Sequence, residues 1–319
     1  MKQLSKIDKK ILAELDTNSR QSFSQIAKRI KTSKEVVRYH FENLQKNRIL
    51  KNCYALIDTY KLGYLIHAVW IKFRNLNLSI EQKIVEKLKS TKNVGVVIKL
   101  YGKWDLVICV WAKNIIEFND NYKIITQDFH QFIKEQLVTV ELNCTYKSLD
   151  FLYKSIIPPV KIGDKLEIIE IDKIDTEIIR QLARNSRTNS TELAPKLKLT
   201  PNAVLERIKR LEKKGVIAAY KINIDYEILG FMHHRIFLKT NNSQIAIKRI
   251  MEYLKRIPCV ISIMNYSSYA DIEFRICVRD TREIHELLTD LRNRFENDIQ
   301  EYDSIMFLES FDLLNFLPI

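Results

Sequence analysis

Residues 22–44 read SFSQIAKRIKTSKEVVRYHFENL, and this stretch decides how the rest of the chain is interpreted. Ser22 and Gln25 have the spacing of an N-terminal capping box, and the apolar residues after them recur at helical intervals. After a short break Ser33 caps a second helix, whose apolar stripe ends at Leu44. Residues 7–15 carry the apolar spacing of a further helix before the pair. Two helices joined by so short a turn, with a third beside them, predict a helix-turn-helix unit.

The same pattern occurs a second time in the chain. Positions 1–64 align with 168–231 without a gap, and about a quarter of the pairs are identical, as expected of a repeated structural unit. The tripeptide Asn-Ser-Arg stands at 18–20 and again at 185–187. In the second copy Thr200 precedes a proline, an N-cap followed by proline at the first helical position, where its missing N–H costs nothing. The sequence therefore predicts a duplicated fold.

The bulk composition is that of a folded protein with more than one domain. The chain has 319 residues, of which 46% are hydrophobic and 29% charged, and no segment has the roughly 18 uninterrupted apolar residues of a membrane helix. No apolar signal segment follows the first residues, so a cytoplasmic protein is expected. The five cysteines are scattered and no clustered histidines accompany them, so neither a metal site nor a cofactor is expected.

Positive charge is concentrated in the repeated units. The formal net charge is +13, and residues 1–64 hold 14 Lys and Arg against 6 Asp and Glu. Residues 168–231 hold 12 against 9, with the acids gathered before Ile178. A charge run is more often a solvated face than a binding site, but excess positive charge on a duplicated helical unit favours a polyanionic partner. A trihelical unit that binds another protein is the alternative.

The second helix of a helix-turn-helix can lie in the major groove of DNA, so its outward side chains are candidates for contacts with bases and phosphates. In the first copy these candidates are Ser33, Lys34, Glu35, Arg38, Tyr39 and His40. In the second copy they are Thr200, Asn202, Arg207, Lys209 and Arg210. The second face has less base-reading chemistry near its N-terminus, which favours contacts with the phosphate backbone. Strands expected at 51–58 and 218–225 follow as wings.

The remainder of each unit predicts a strand and helix order of βαββαβ, the ferredoxin-like arrangement with a four-stranded antiparallel sheet. In the first copy the strands are 66–73, 94–101, 105–111 and 137–146, with helices at 79–89 and 114–135. In the second copy the strands are 234–240, 260–266, 271–278 and about 302–308, with helices at 244–255 and 282–295. The fold class is α+β.

Five ranges divide the chain on this interpretation. A first winged helix-turn-helix domain occupies 1–63 and a first ferredoxin-like effector and dimerisation domain 64–155. A linker follows at 156–171, then a second winged helix-turn-helix domain at 172–230 and a second ferredoxin-like domain at 231–319.

Several of these features together resemble the leucine-responsive/asparagine-synthesis (Lrp/AsnC) regulator family. They are the Ile-Asp pair with Asn-Ser-Arg eleven positions on, the capped recognition helix, Gly-Val-Ile at 215–217, and Leu-Gly before a βαββαβ domain. The resemblance covers nearly the whole chain twice. It implies a sequence-specific regulator of transcription that binds double-stranded DNA. In two places the first copy departs from the family pattern, with His40 where arginine is usual and Arg48 where glycine is usual.

The same resemblance implies a small effector of the amino-acid class, bound around a Gly-x-x-Asp turn. On this sequence the implied effector residues are Tyr101, Gly102, Trp104 and Asp105, with Asp271 in the second copy. There the turn keeps the aspartate but has no glycine, which is a departure from the family pattern.

Two alternatives stay open beside the regulator. Fused pairs of such units also resemble the siroheme decarboxylases of alternative haem synthesis, for which His233, His234 and Arg235 are the candidate cluster. Such a cluster is more often buried or exposed without a catalytic role, and no catalytic triad order, phosphate-binding glycine loop or HExxH motif is present, so a protein without enzyme activity is expected. The other alternative is a sensor scaffold in which one or both helical units bind no DNA.

One chain is expected to imitate the dimer of single-unit relatives. The two sensor sheets would pack about a pseudo-two-fold axis and direct two unlike recognition helices at an imperfect palindrome. The operator, the effector, the sign of the transcriptional response and any further homo-oligomer are left open.

Overall fold

The computed structural model describes residues 2–74, 76–153, 157–163, 167–241, 243–267 and 269–312. Parts of the expected linker (156 and 164–166) and of the last domain (242, 268 and 313–319) lie outside the described residues. The helices are α1 (Lys6–Thr17), α2 (Phe23–Ile30), α3 (Lys34–Lys46), α4 (Leu78–Ser90), α5 (Ile115–Thr126), α6 (Lys173–Arg184), α7 (Ser190–Leu197), α8 (Pro201–Lys213), α9 (Gln244–Leu254) and α10 (Thr281–Arg294). The strands are β1 (Leu50–Ile57), β2 (Leu65–Phe73), β3 (Val94–Tyr101), β4 (Leu106–Ala112), β5 (Ile133–Tyr146), β6 (Val160–Gly163), β7 (Ile217–Ile224), β8 (Met232–Thr240), β9 (Val260–Tyr266), β10 (Ile272–Val278) and β11 (Ile299–Asp312).

Helices α1–α3 and α6–α8 form two trihelical heads, whose helices begin at the caps that the sequence predicts. The Ser22 hydroxyl accepts from the backbone N–H of Gln25, and the Gln25 side chain accepts from the Ser22 N–H in return. Ser33 and Thr200 each accept from the N–H three residues on, at the starts of α3 and α8. These bonds satisfy N–H groups that have no partner within a helix, and so fix where each helix starts.

The strand after each recognition helix pairs with its counterpart from the other copy. β1 and β7 run antiparallel in a two-stranded sheet, with Tyr54 opposite Lys221. The positions of both strands were predicted, but their mutual pairing was not. Each strand alone would present a row of unpaired backbone groups, so the pairing satisfies both strands and joins the two heads.

The sensor strands close into one barrel. In each half the order is that of a ferredoxin-like sheet, β5-β2-β4-β3 in the first and β11-β8-β10-β9 in the second. The halves join at two equivalent seams, where β3 pairs with β11 and β5 with β9. Because each seam uses the corresponding strands of the two copies, the halves are related by a pseudo-two-fold axis. The predicted α+β fold class is therefore confirmed, and the two halves join within one chain through these seams.

Two elements differ from the sequence-based prediction. The helix expected at 114–135 ends at Thr126, and β5 begins at Ile133. Between them the chain turns so that Phe129 is buried, with its ring 6.4 Å from that of Phe73. The expected linker is also partly regular, because β6 within it pairs with the end of β5.

The inside of the barrel is unlike in its two halves. Strands β2, β3 and β4 line it with apolar side chains such as Trp70. The second half places Arg235 beside Glu273 there, with the Arg235 Nε 2.6 Å from the Glu273 Oε1 and both residues almost fully buried. Glu141 of β5, also buried, accepts a hydrogen bond from the Tyr266 hydroxyl. A buried ion pair is stabilising only where geometry compensates for lost hydration. The first half contributes Glu141 to these buried charges, and the second half contributes Arg235 and Glu273.

Candidate nucleic-acid interface

The outer face of α3 is exposed and carries two cations that have no carboxylate partner among the described residues. Lys34, Glu35, Arg38 and Tyr39 all face solvent, and the Tyr39 side chain is 64% accessible. No carboxylate among the described residues forms an ion pair with Lys34 or Arg38. Ser33, also exposed, is used as the cap of the helix. The side chains that would contact bases and phosphates are therefore free to do so.

His40 and Arg207 occupy equivalent places in the two heads and have the same structural task. The His40 Nδ1 lies 2.8 Å from the Asp8 carboxylate, and Arg207 donates to Asp175, the equivalent aspartate, at 2.9 Å. Burial would raise the pKa of Asp8, but hydrogen bonds from Ser5 and His40 outweigh it and hold the pKa below its ordinary value. The histidine thus replaces the arginine without loss of the link between first and third helices. Both side chains are engaged within their own head.

The corresponding face of α8 has its cations paired within the chain. Lys209 forms an ion pair with Glu206, and Arg210 forms one with Asp175. Thr200 is the helix cap, and Asn202 is exposed at the start of the helix. The two recognition faces therefore differ in free charge, with the first more available to a polyanion.

The repeated Asn-Ser-Arg tripeptides meet each other between the heads. The hydroxyl oxygens of Ser19 and Ser186 lie 2.6 Å apart, and both residues are fully buried. Arg187 donates to the backbone carbonyl of Ser19 at 2.8 Å, and Arg20 donates to that of Ser186 in return. These reciprocal bonds place the pseudo-two-fold axis at the serine pair. The repeat was visible in the sequence, but the contact it makes was not.

The predicted effector residues lie at the turn between β3 and β4. Tyr101 and Gly102 are exposed and Trp104 is buried. Asp105 accepts from the Phe73 N–H at 2.8 Å and from the Lys72 ammonium at 2.6 Å.

Asp271 does the equivalent in the second copy. It accepts from the N–H and the hydroxyl of Thr240. Both aspartates therefore hold the turn against the end of the first strand of their sheet, which is a structural role that needs no effector. In this turn Tyr269 takes the left-handed backbone, with φ +70°.

The three residues of the candidate tetrapyrrole cluster do not converge. Side chains alternate along a strand, so His233 and Arg235 face the barrel interior, whereas His234 shares the opposite face with Ile236. The His233 ring packs 4.2 Å from that of Phe307, and burial holds its pKa well below the ordinary value. The imidazole is therefore neutral near pH 7. Arg235 lies over the ring of Trp70 as well as beside Glu273.

Among the described residues no group of three or more His, Cys, Asp or Glu is placed to hold a metal ion. In the same part of the chain no helix is long and apolar enough to cross a membrane.

Comparison with known proteins agrees with this geometry. The winged helix-turn-helix DNA-binding family model matches residues 4–51 and again residues 171–218. A helix-turn-helix transcriptional regulator of Pyrococcus abyssi is 32% identical over 124 residues, which are 38% of this chain and 80% of that protein. The regulator LrpC of Bacillus subtilis is 32% identical over 90 residues, 28% of this chain and 62% of that protein.

Over nearly all of its length the chain has the fold of the siroheme decarboxylase NirDL. The TM-score is 0.64, and the similarity covers 97% of this chain and 92% of that chain, at 13% identity. An identity this low shows a shared fold and nothing about activity.

Two helix-turn-helix heads on a closed pair of sensor sheets define a tandem helix-turn-helix protein. The relatives match less than half of the chain because each corresponds to one of its two units. The chain belongs to the Lrp/AsnC family of transcriptional regulators, as a fusion of two such units.

Proposed function

We propose that the protein regulates transcription by binding double-stranded DNA at specific sequences, with α3 and α8 as its recognition helices. The observation that carries the proposal is the exposed face of α3, where Lys34 and Arg38 have no carboxylate partner among the described residues. A duplex supplies phosphates and guanine edges, which are the acceptors that such cations bind. The heads are held together by the β1–β7 sheet and the paired serines.

The two half-sites of the operator are unlike on this proposal. The α3 face offers free cations and the exposed Tyr39, whereas Lys209 and Arg210 of α8 are already paired with carboxylates. We expect α3 to read bases, and α8 to contribute mainly contacts with the phosphate backbone. The preferred site would then be an imperfect palindrome with one well-defined half.

Selection of binding sites from random duplexes with purified protein, followed by a salt titration on the best site, tests the function. We expect one asymmetric consensus and a logarithm of affinity that falls steeply and linearly with the logarithm of salt concentration. Failure to enrich any sequence, together with affinity that does not respond to salt, would rule out the proposal and leave the sensor scaffold.

The effector of the proposed regulator is expected to be an amino acid or related small molecule near Gly102. The exposed Tyr101 and the open turn beside it support this placement. Asp105 is held by Lys72 and Phe73, so it would contribute its remaining acceptor capacity to a ligand. Titrating the twenty amino acids against protein on its operator tests this expectation. No change in affinity with any of them would exclude an effector of that class.

We further propose that the protein acts by binding and not by catalysis, although the fold is that of NirDL. Because His233 and His234 lie on opposite faces of β8, they cannot act together on one tetrapyrrole. Incubation with siroheme is the direct test. A stable visible absorption band with loss of substrate carboxylates would show the enzyme instead.

A further inference from the structure

A cleft of about 590 Å³ opens between the first head and the second sensor half. It is lined by residues from four separate parts of the chain: the N-terminal arm (residues 2–5) with α1, the segment after β5, the residues before β8, and Arg279 between β10 and α10. Its volume is within the usual range for sites that hold small molecules.

The floor of the cleft is apolar and aromatic. The rings of Phe151 and Phe231 meet edge to face, with their centroids 4.7 Å apart. Phe231 itself is buried. Together with Leu152 and Leu229 these rings form a surface suited to the apolar body of a ligand.

The rim of the cleft is cationic. Lys2, Lys9 and Arg279 line it and are exposed, and the lining contains no Asp or Glu. The Arg279 guanidinium lies 4.5 Å from the centroid of the Phe231 ring. Within the described part of the chain, neither Lys9 nor Arg279 forms an ion pair through its side chain. Three cations beside an apolar floor are the complement of an amphipathic anion.

The rim is more than a by-product of the repeated fold. In the other copy the arrangement recurs in part, since Lys113 lies 5.1 Å from the Tyr64 ring, as Arg279 lies over Phe231. The N-terminal arm also has a counterpart in the residues before α6. The backbone N–H of Lys2 donates to the Ile228 carbonyl, and the backbone N–H of Ile169 donates to the equivalent carbonyl of Lys61. Lys2 and Lys9, however, are replaced there by Ile169 and Thr176. The rim of three cations is therefore present at this cleft and not at the equivalent location in the other copy.

We propose that this cleft binds a small amphipathic anion, a molecule with an aromatic or aliphatic body and one acidic group, and that the bound anion regulates DNA binding by the first head. The regulatory part rests on the proposed function. The anion contacts the first head through the arm and Lys9, and the second sensor half through Arg279. Binding therefore favours the arrangement in which the first head is docked on the second sensor half. It changes DNA affinity to the extent that this docked arrangement binds DNA more or less tightly than the undocked one.

The binding test uses a matched pair of fluorescent probes. The anionic probe is 8-anilinonaphthalene-1-sulfonate, and the neutral probe is N-phenyl-1-naphthylamine, which has the same rings without the sulfonate. We expect one anionic probe per chain, and about tenfold weaker binding in Arg279→Gln because a charge-assisted contact is lost. Arg279→Lys should bind within about twofold of the unchanged protein, since a point charge remains.

The matched control is Lys113→Gln, which removes the equivalent cation of the other copy. It should leave probe affinity unchanged, and Arg279→Gln should leave the affinity of the neutral probe unchanged. Equal weakening by Lys113→Gln and Arg279→Gln, or equal effects of Arg279→Gln on both probes, would overturn the site.

Operator binding measured on the same variants separates the cleft from the proposed function. Arg279→Gln without probe should bind DNA as the unchanged protein does, while the anionic probe should shift DNA affinity only where Arg279 is present. If DNA binding is normal but the probe never shifts it, the regulatory role is wrong. If no variant binds DNA at all, the proposed function fails, and the probe titrations still decide whether the cleft is a site.

Discussion

At the scale of single residues, the repeat in the sequence marks contacts on the pseudo-two-fold axis as well as core positions. A residue on such an axis meets its own counterpart, so Ser19 and Ser186 are constrained by each other. Arg20 and Arg187 each donate to the serine carbonyl of the opposite tripeptide. The alignment showed that these residues are the same in both copies, but a sequence cannot show that they touch.

The serine pair gives a prediction about stability. Ser19→Ala should lower the free energy of unfolding by about 1–3 kcal/mol, because it leaves the buried Ser186 hydroxyl without this partner. The double change Ser19→Ala with Ser186→Ala should cost less than the sum of the two single changes, since both polar groups are then gone. Chemical denaturation of the four proteins measures this. Strict additivity would mean that the two hydroxyls do not interact.

At the scale of elements, the two recognition helices pack through equivalent apolar faces but differ in the pairing of their charged side chains. The apolar faces of α3 and α8 are equivalent, with Val37 and Val204 both fully buried. The cations of α8 are neutralised by Glu206 and Asp175, whereas Arg38 of α3 is not paired within the described chain. The sequence predicted both faces, but ion pairing within the heads depends on side-chain positions that periodicity does not give.

This difference predicts unequal effects of removing charge from the two helices. Arg38→Gln should weaken operator binding about tenfold and reduce the slope of the salt dependence by about one, as expected for the loss of one contact with DNA. Lys209→Gln, which removes one cation from α8, should have a smaller effect because Glu206 already compensates its charge. Fluorescence anisotropy at several salt concentrations distinguishes them. Equal losses would show that both faces contact DNA alike.

Other elements show where sequence patterns stop being informative. The extent of the helices and most strands follows from periodicity and caps. The end of α5 at Thr126 does not, because the turn after it is set by the burial of Phe129 against the core. The pairing of β1 with β7 is likewise a long-range contact. Local patterns specify which face of a strand is apolar, and they do not specify which strand lies beside it.

At the scale of the whole molecule, the closed barrel has a charged interior on one side. Burial raises the pKa of Glu273 to about 7, against the opposing effect of Arg235. The folded protein therefore binds a proton at Glu273 that the unfolded chain releases near its ordinary value of 4.5. Stability must fall as pH rises from about 4.5 to about 7 on account of this group, and it is unaffected by this group above that range.

Glu273→Gln removes this dependence. Relative to the unchanged protein, the variant should become more stable as pH rises from 4.5 to 7, by an amount on the order of 3 kcal/mol at most. Denaturation of both proteins across this range gives the difference. Glu301→Gln is the surface control, and it should show no such gain, because the hydrogen bond from Lys239 lowers the pKa of Glu301. A difference independent of pH would mean that Glu273 keeps its ordinary pKa.

The overall architecture could be predicted because the duplication is visible as a sequence repeat and the order of strands and helices follows from the spacing of apolar residues. The candidate DNA-binding residues could be placed on the recognition helices for the same reason. The cleft at Arg279 could not, because its lining comes from parts of the chain that only the closed barrel brings together. A site assembled across two units leaves no local motif.

Closing the barrel within one chain affects both subunit exchange and the orientation of the proposed regulator on DNA. A symmetric homodimer reads its operator identically from either side, and it can trade subunits with similar proteins in the same cell. Here the β3–β11 and β5–β9 seams are made within one chain. The two units therefore cannot exchange with those of other proteins at these seams. On the proposed function, the two dissimilar heads would give each bound site a direction, upstream or downstream.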